Sequence, residues 1–403
     1  MSYNPTFDTP MNQIEKIRLR EATGSLQSYI ISEEYRGYDP YDGLMSPLFK
    51  LPLLRSNNLL RFAFQQVFKK LPINLRALIG IKKGLNPVTL GLCIEAYSYL
   101  SEVFKENVGF YTGQINYCLD KLIELRSPSH AGSCWGYDFD WEARYSKIPA
   151  LAPTVVATGI IENALFEYYV RFKDSRARNL IVYAADFVAK DLNRSYEGDT
   201  FCFSYSPDDS EMVYNATMKG ARILTHAYTI SGNESFIRDA KKTVHFVINH
   251  QNEDGSWFYS FGDARKWTDN FHTAYVLECL KAYCDVTADK EVCNHLAGGL
   301  RYYVDNFFAG SGGIAKYYND AIYPLDSTAI AQSILTLTHF DQIELASKVM
   351  NWTVQNMQSS EGYIYYLKKR FLTNKISYMR WSNAWMFAAF SSLLLVADEN
   401  SLD

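Results

Sequence analysis

Six short segments that are apolar nearly all round recur along this chain, each paired with a segment apolar on one face only. The first kind comprises Leu90–Leu100, Val155–Tyr169, Ala216–Tyr228, Thr273–Tyr283, Thr328–Leu337 and Ala384–Leu395. A helix apolar on every side is a buried helix. The second kind comprises Tyr111–Leu125, Ser175–Leu192, Glu234–Asn249, Lys290–Asn306 and Gln342–Met357, with an earlier member placed within Leu59–Ile81. These read as outer helices with a solvated face. The buried helices begin near residues 88, 154, 215, 272, 327 and 382, so the repeat shortens from about 66 to about 55 residues. A helical hairpin repeated six times is a repeat architecture. The spacing predicts an all-α fold, an (α/α)6 toroid over residues 81–403. An open α-solenoid is the rival, but its usual periods are nearer roughly 34–47. Residues 1–80 are expected to form an N-terminal extension that packs on the toroid, with Tyr38–Gly43 folded back over its funnel.

Composition narrows the function classes. Hydrophobic residues make up 48% and charged residues 21%, an ordinary globular balance. The net charge of −4 argues against a nucleic-acid partner. The seven cysteines are scattered, and reduced thiols in a cytoplasmic protein are the expected state. Met1–Pro5 does not resemble a secretion signal, and no apolar run is long enough for a transmembrane segment. Leu48–Ile81 is both basic and apolar. It reads as a packed helix with a solvated basic face in preference to a membrane-surface helix. Cys279, Cys284, Cys293 and His295 lack the spacing of a zinc site, so no metal and no cofactor is expected.

The loops that precede the buried helices hold the chemistry. In a toroid those helix N-termini converge, and their orphan N–H groups suit anionic or polyhydroxylated ligands. Trp135, Tyr137, Asp138, Asp140 and Trp141 form the densest cluster. Aromatic faces stack on sugar rings, and paired carboxylates suit glycoside chemistry. Asp269, Asn270 and His272 sit at a predicted helix start, where the dipole favours a neutral, proton-accepting imidazole. Asp138, Asp140, Asp269 and His272 are therefore the candidate catalytic residues. Tyr205, Asp208, Asp209 and Asn215 form another candidate binding group, as do Tyr317, Tyr323 and Asp326. Tyr378, Arg380 and Trp381 complete the set, with Arg380 placed to meet a substrate carboxylate or phosphate. Gly159, inside a buried helix, is expected to allow a close helix contact.

Gln251-Asn252-Glu253-Asp254-Gly255-Ser256-Trp257 resembles the Q-x-x-D-G-S-W motif of the terpenoid cyclase and protein prenyltransferase toroids. Gln358-Ser359-Ser360-Glu361-Gly362-Tyr363 is similar to a degenerate copy. The motif also occurs in six-hairpin toroids that act on carbohydrates. The acidic D-x-D-D element of the cyclases has no counterpart here. Gly136–Trp141, Tyr205–Asp209, Asp269–Thr273 and Tyr323–Asp326 resemble segments of uncharacterised toroid proteins of surface-polysaccharide biosynthesis. This resemblance implies a sugar-linked role and names no reaction; the mix of Asp, Tyr, Trp and His in the five loops points to a carbohydrate-active enzyme, a hydrolase, lyase or epimerase. Its site would lie in the funnel, with Trp257 beside it, and polysaccharide-synthesis machinery is an implied partner. The alternatives are a glycan-binding scaffold without catalysis and an isoprenoid-diphosphate enzyme.

Overall fold

The computed structural model describes residues 11–142, 147–262, 264–311 and 313–399. Met1–Pro5, read above for a secretion signal, lies outside the described residues. In chain order the helices are α1 (Gln13–Ser32), α2 (Pro52–Arg55), α3 (Asn58–Lys70), α4 (Pro87–Val103), α5 (Val108–Glu124), α6 (Val155–Phe172), α7 (Ser175–Asp191), α8 (Tyr214–Ser231), α9 (Glu234–Ile248), α10 (Asn270–Thr287), α11 (Lys290–Phe307), α12 (Ser327–His339), α13 (Ile343–Met357) and α14 (Trp385–Glu399).

Helices α4, α6, α8, α10, α12 and α14 each pack on the next, and α14 returns to α4. That contact closes the inner ring. Helices α5, α7, α9, α11 and α13 lie behind their inner partners. The chain is thus an (α/α)6 toroid. The six inner helices are those whose sequences are apolar on all sides; α12, for example, is buried from Ser327 to Thr338.

The sixth outer helix is not within Leu59–Ile81. It is α1, which packs against α14 and α13. The reason is its stripe of Leu19, Ala22, Leu26 and Ile30, buried at helical spacing. By contrast α3 buries only Arg61, Gln65 and Phe68. It packs against the strand Trp141–Glu142 and the turn Asp42–Met45.

The Q-x-x-D-G-S-W motif explains how neighbouring outer helices are joined. Gln251 donates to the carbonyls of Gly255 and His295, at 2.9 and 3.0 Å, and so ties the end of α9 to α11. Gln358 repeats this one hairpin later. It donates to the carbonyls of Gly362 and of Ala22 in α1, at 3.0 and 2.9 Å. Gly255 and Gly362 have positive φ, +91° and +94°. A Cβ on either would strike a carbonyl of the next outer helix, at Gly298 or Ser25. The equivalence places α1 after α13 in the outer ring.

Short strands trim one end of the ring. Leu325–Asp326, Tyr365–Lys368 and Thr373–Ser377 form an antiparallel three-stranded sheet. A π-turn at Met379–Ala384 then leads into α14 and carries Arg380 and Trp381. The sulfurs of Cys284 and Cys293 meet, with Cα atoms 5.8 Å apart, a span that a disulfide bridges. The expectation of seven reduced thiols therefore gives way to five free, buried cysteines and one pair.

Candidate functional site

A cavity of about 260 Å³ opens at the end of the ring where the inner helices begin. Its floor comes from the first turns of α6, α8, α10, α12 and α14, through Val156, Asn215, Phe271, Thr328 and Trp385. The loops add its walls. Nine of the expected residues line it: Tyr137, Trp141, Tyr205, Asn215, Asp269, His272, Tyr317, Arg380 and Trp381.

Asp269 and His272 share one hydrogen-bonded unit. Asp269 is the N-cap of α10, and its Oδ1 accepts from the His272 backbone N–H at 3.0 Å. Its Oδ2 lies 2.7 Å from His272 Nδ1 and accepts from Trp267 Nε1 at 3.1 Å. A carboxylate only accepts, so Nδ1 is the donating nitrogen. In the neutral ring the lone pair then sits on Nε2. One side chain thus caps the helix and sets the imidazole tautomer. Rings of Tyr259 and Phe271 hold the imidazole in place, with centroids 4.7 and 4.0 Å away.

The other polar groups are donors. Asn215 is buried, and its Nδ2 has no hydrogen-bond partner while its residue lines the cavity. An orphaned buried amide costs free energy unless a ligand or water satisfies it. Burial pushes the Tyr137, Tyr205, Tyr275 and Tyr317 phenols above their ordinary range, so they stay protonated and can donate.

Arg380 has a partner that the sequence reading missed. Its Nε and one terminal nitrogen donate to the two oxygens of Asp39, at 2.7 and 2.9 Å. Both side chains are buried. Burial works against the charge on Arg380, but Asp39 beside it outweighs this and raises its pKa. The guanidinium also lies 4.7 Å from the Tyr137 ring centroid and 5.0 Å from that of Trp381. Arg380 is thus paired with Asp39 through Nε and one terminal nitrogen, and it still lines the cavity.

The remaining expected residues do not line this cavity, although Trp257 borders a small adjoining pocket with Asn215, Asp269 and His272. Trp135 and Trp257 are core residues whose indole N–H groups donate to the carbonyls of Leu122 and Val247, at 2.8 and 2.9 Å. Asn270 is fully buried, donates to the Lys316 carbonyl and accepts from Tyr303 and Ser333. Asp326 caps α12 and accepts from the Trp381 indole at 3.0 Å; burial raises it to about 6. Tyr378 packs against Tyr366 within a small cluster. Asp209 ties its own turn by accepting from Tyr205, Ser206 and Glu211, and Asp208 and Tyr323 are exposed. Asp140 accepts from the Ala150 N–H at 2.8 Å and does not line the cavity.

Asp138 lines a second cavity, of about 320 Å³, on the other side of the Asp39–Arg380 pair. It accepts from Asn86 at 2.6 Å, and burial raises it to about 6. The Asp138/Asp140 pair therefore does not converge on one space. Among the described residues, His245, Asp289 and Glu291 could hold a metal ion, their ligand atoms lying within 4.8 Å of one another. None of the three lines either cavity.

Fold and cavity together define a six-hairpin helical toroid with an aromatic funnel. The chain is similar to cellobiose 2-epimerase from Bacillus thermoamylovorans, at 13% identity and a TM-score of 0.60, over 77% of this chain and 87% of that one. It is also similar to an unsaturated glucuronyl hydrolase specific for heparin, at 13% identity and a TM-score of 0.61, over 96% and 98%. A glycoside hydrolase family 76 (mannosidase) protein from Bacteroides thetaiotaomicron matches at 11% identity and a TM-score of 0.59, over 97% and 100%. These likenesses concern the fold. No family model matches the chain, and no curated protein does.

Proposed function

We propose that this protein is a carbohydrate-active enzyme that uses His272 as a general base on a sugar held in the aromatic funnel. The Asp269–His272 unit facing the cavity carries the reading. Asp269 holds Nδ1–H, so Nε2 can accept a proton from a sugar carbon. Tyr205 and Tyr317 supply phenolic donors for the oxygen that gathers charge, and the Trp141 and Trp381 rings offer stacking faces. Asn215 supplies a donor for a ring hydroxyl.

Between the reaction types, this geometry favours proton abstraction, the step of an epimerase or lyase. Two-carboxylate hydrolysis needs a pair of carboxyls facing one bond. Among the described residues Asp269 is the sole carboxylate lining the cavity, and it is committed to His272. The solved structures that share the fold carry names of sugar epimerases and glycoside hydrolases, which supports a sugar substrate. Among the described residues no helix can cross a membrane. We further propose a cytoplasmic setting, in which Cys284 and Cys293 would be held reduced, with polysaccharide-synthesis machinery as partner.

The test is turnover of neutral and acidic oligosaccharides in D2O. An epimerase should place deuterium at a single carbon of the product, and a lyase should give a product with a new C=C bond and no deuterium on carbon. His272→Ala should lower the rate by roughly 10²–10⁴-fold, the usual contribution of a general base. Turnover that gives neither deuterium at carbon nor a new C=C bond, or that is undiminished in His272→Ala, refutes the base assignment.

A further inference from the structure

Between Gly43 and Ile94 the chain has eight Lys and Arg residues and no Asp or Glu, although the whole protein carries a net charge of −4. This basic segment includes α3, which leaves much of its apolar surface exposed. Its inward face holds Phe68 together with Arg61 and Gln65. Arg61 pairs with the buried Glu142, while Gln65 exchanges hydrogen bonds with the Glu142 backbone at 3.2 and 3.0 Å. Its outward face holds Leu59 and Val67, 76% and 62% exposed, with Leu60 and Phe62 beside them. The run continues through Ile73 and Leu78, 66% and 82% exposed, and is preceded by exposed Leu48 and Leu51. Exposed apolar residues gathered in one segment mark an interaction surface.

We propose that this segment docks the toroid on an anionic membrane surface. The apolar side chains would enter the headgroup boundary, and Lys50, Lys70 and Lys82, all exposed, would meet the lipid charge, while Lys83 pairs with Glu33. Charge selects this occupant. Acids of neighbouring elements pair Arg61, Arg76 and Lys83, which leaves the exposed Lys50, Lys70 and Lys82, and a second copy docked by the same face would set these lysines against their own counterparts. The surface lies beside the funnel: Lys69 donates at 2.8 Å to Tyr41, which lines the main cavity, and Lys50 and Lys82 line the second. A glycan carried on a lipid would reach either cavity from the membrane side.

Co-sedimentation of the full chain with vesicles tests the docking without any activity assay. Binding is expected to vesicles of phosphatidylcholine with phosphatidylglycerol, and to weaken in high salt as the charges are screened. Lys50→Glu, Lys70→Glu and Lys82→Glu together should lower the partition by roughly a hundredfold or more, as loss of three lysines from an anionic surface implies. Leu59→Ser, Val67→Ser and Leu78→Ser together should also abolish it, with the melting temperature of both variants unchanged because every position is exposed. Equal recovery with and without anionic vesicles overturns the proposal. So does binding that survives both variants, or a concentration-dependent dimer that the leucine-face variant disrupts while vesicles bind nothing.

Discussion

His272 owes its orientation to a helix cap, which is why the site could be glimpsed before any coordinates. Asp-Asn-Phe-His at a helix start places an acid and an imidazole one turn apart, and Asp269 serves both as cap and as partner to Nδ1. Other residues were misread because the same chemistry serves the core. Trp135 stands among acids and aromatics, as a sugar platform would. Its indole N–H nonetheless finds the Leu122 carbonyl, the same bond that Trp257 makes to Val247. Local sequence cannot separate these uses of an indole. Asp39 was illegible for another reason: it meets Arg380 across 341 positions. That pair has a direct test. Asp39→Ala leaves a buried guanidinium without a counter-charge, which should cost roughly 3–5 kcal/mol. Asp39→Asn should cost less, because the amide oxygen still accepts. Urea unfolding of the two variants measures both, and an unchanged midpoint in Asp39→Ala shows that Arg380 is satisfied without it.

At the scale of elements, apolar periodicity found the inner ring and five outer helices to within a few residues, since burial on all sides leaves a strong signal. It failed on the sixth. Helix α1 buries one side chain per turn and is otherwise polar, so its stripe is thin. Helix α3 has the stronger apolar pattern but buries only Phe68 of it fully and leaves Leu59 and Val67 exposed. The second motif copy held the missing information, because Gln358 and Gly362 are the seat for α1. Gly362→Ala should therefore loosen α1 in particular. Its φ of +94° and the Ser25 carbonyl both oppose a side chain, a strain of roughly 1–3 kcal/mol. Hydrogen exchange should rise in peptides from α1 and stay constant in peptides from α3. Equal protection of α1 in both proteins would mean that α1 is held by its apolar stripe alone.

The whole ring also encloses charge along its axis. Glu95, Lys219, Arg222, Glu278 and His339 come from four inner helices and line a small chamber of about 30 Å³. Ile160, Tyr275 and Trp385 line both this chamber and the main cavity, so the chamber lies directly beneath the site. Lys219 is buried there, and its Nζ lies 3.6 Å from the Tyr275 ring centroid. Gly159 makes room for its stem, since a Cβ at that position would strike the Cβ of Lys219. Burial, then the nearby charge of Arg222, lower the Lys219 pKa to about 7. In the unfolded chain a lysine titrates near about 10.4. Between those values the unfolded chain binds a proton that the folded chain does not, so this residue makes stability rise with pH. Below about 7 both states are protonated and the full penalty applies. Glu95 and His339, raised to about 7 and about 9, respectively, add slopes of their own. A comparison of Lys219→Met with the parent at each pH largely cancels them. The variant should melt several degrees higher at pH 6, and its advantage should shrink steadily toward pH 10. An advantage that is constant with pH would assign the gain to packing, and a lower Tm at pH 6 would show that the lysine charge holds the axis together.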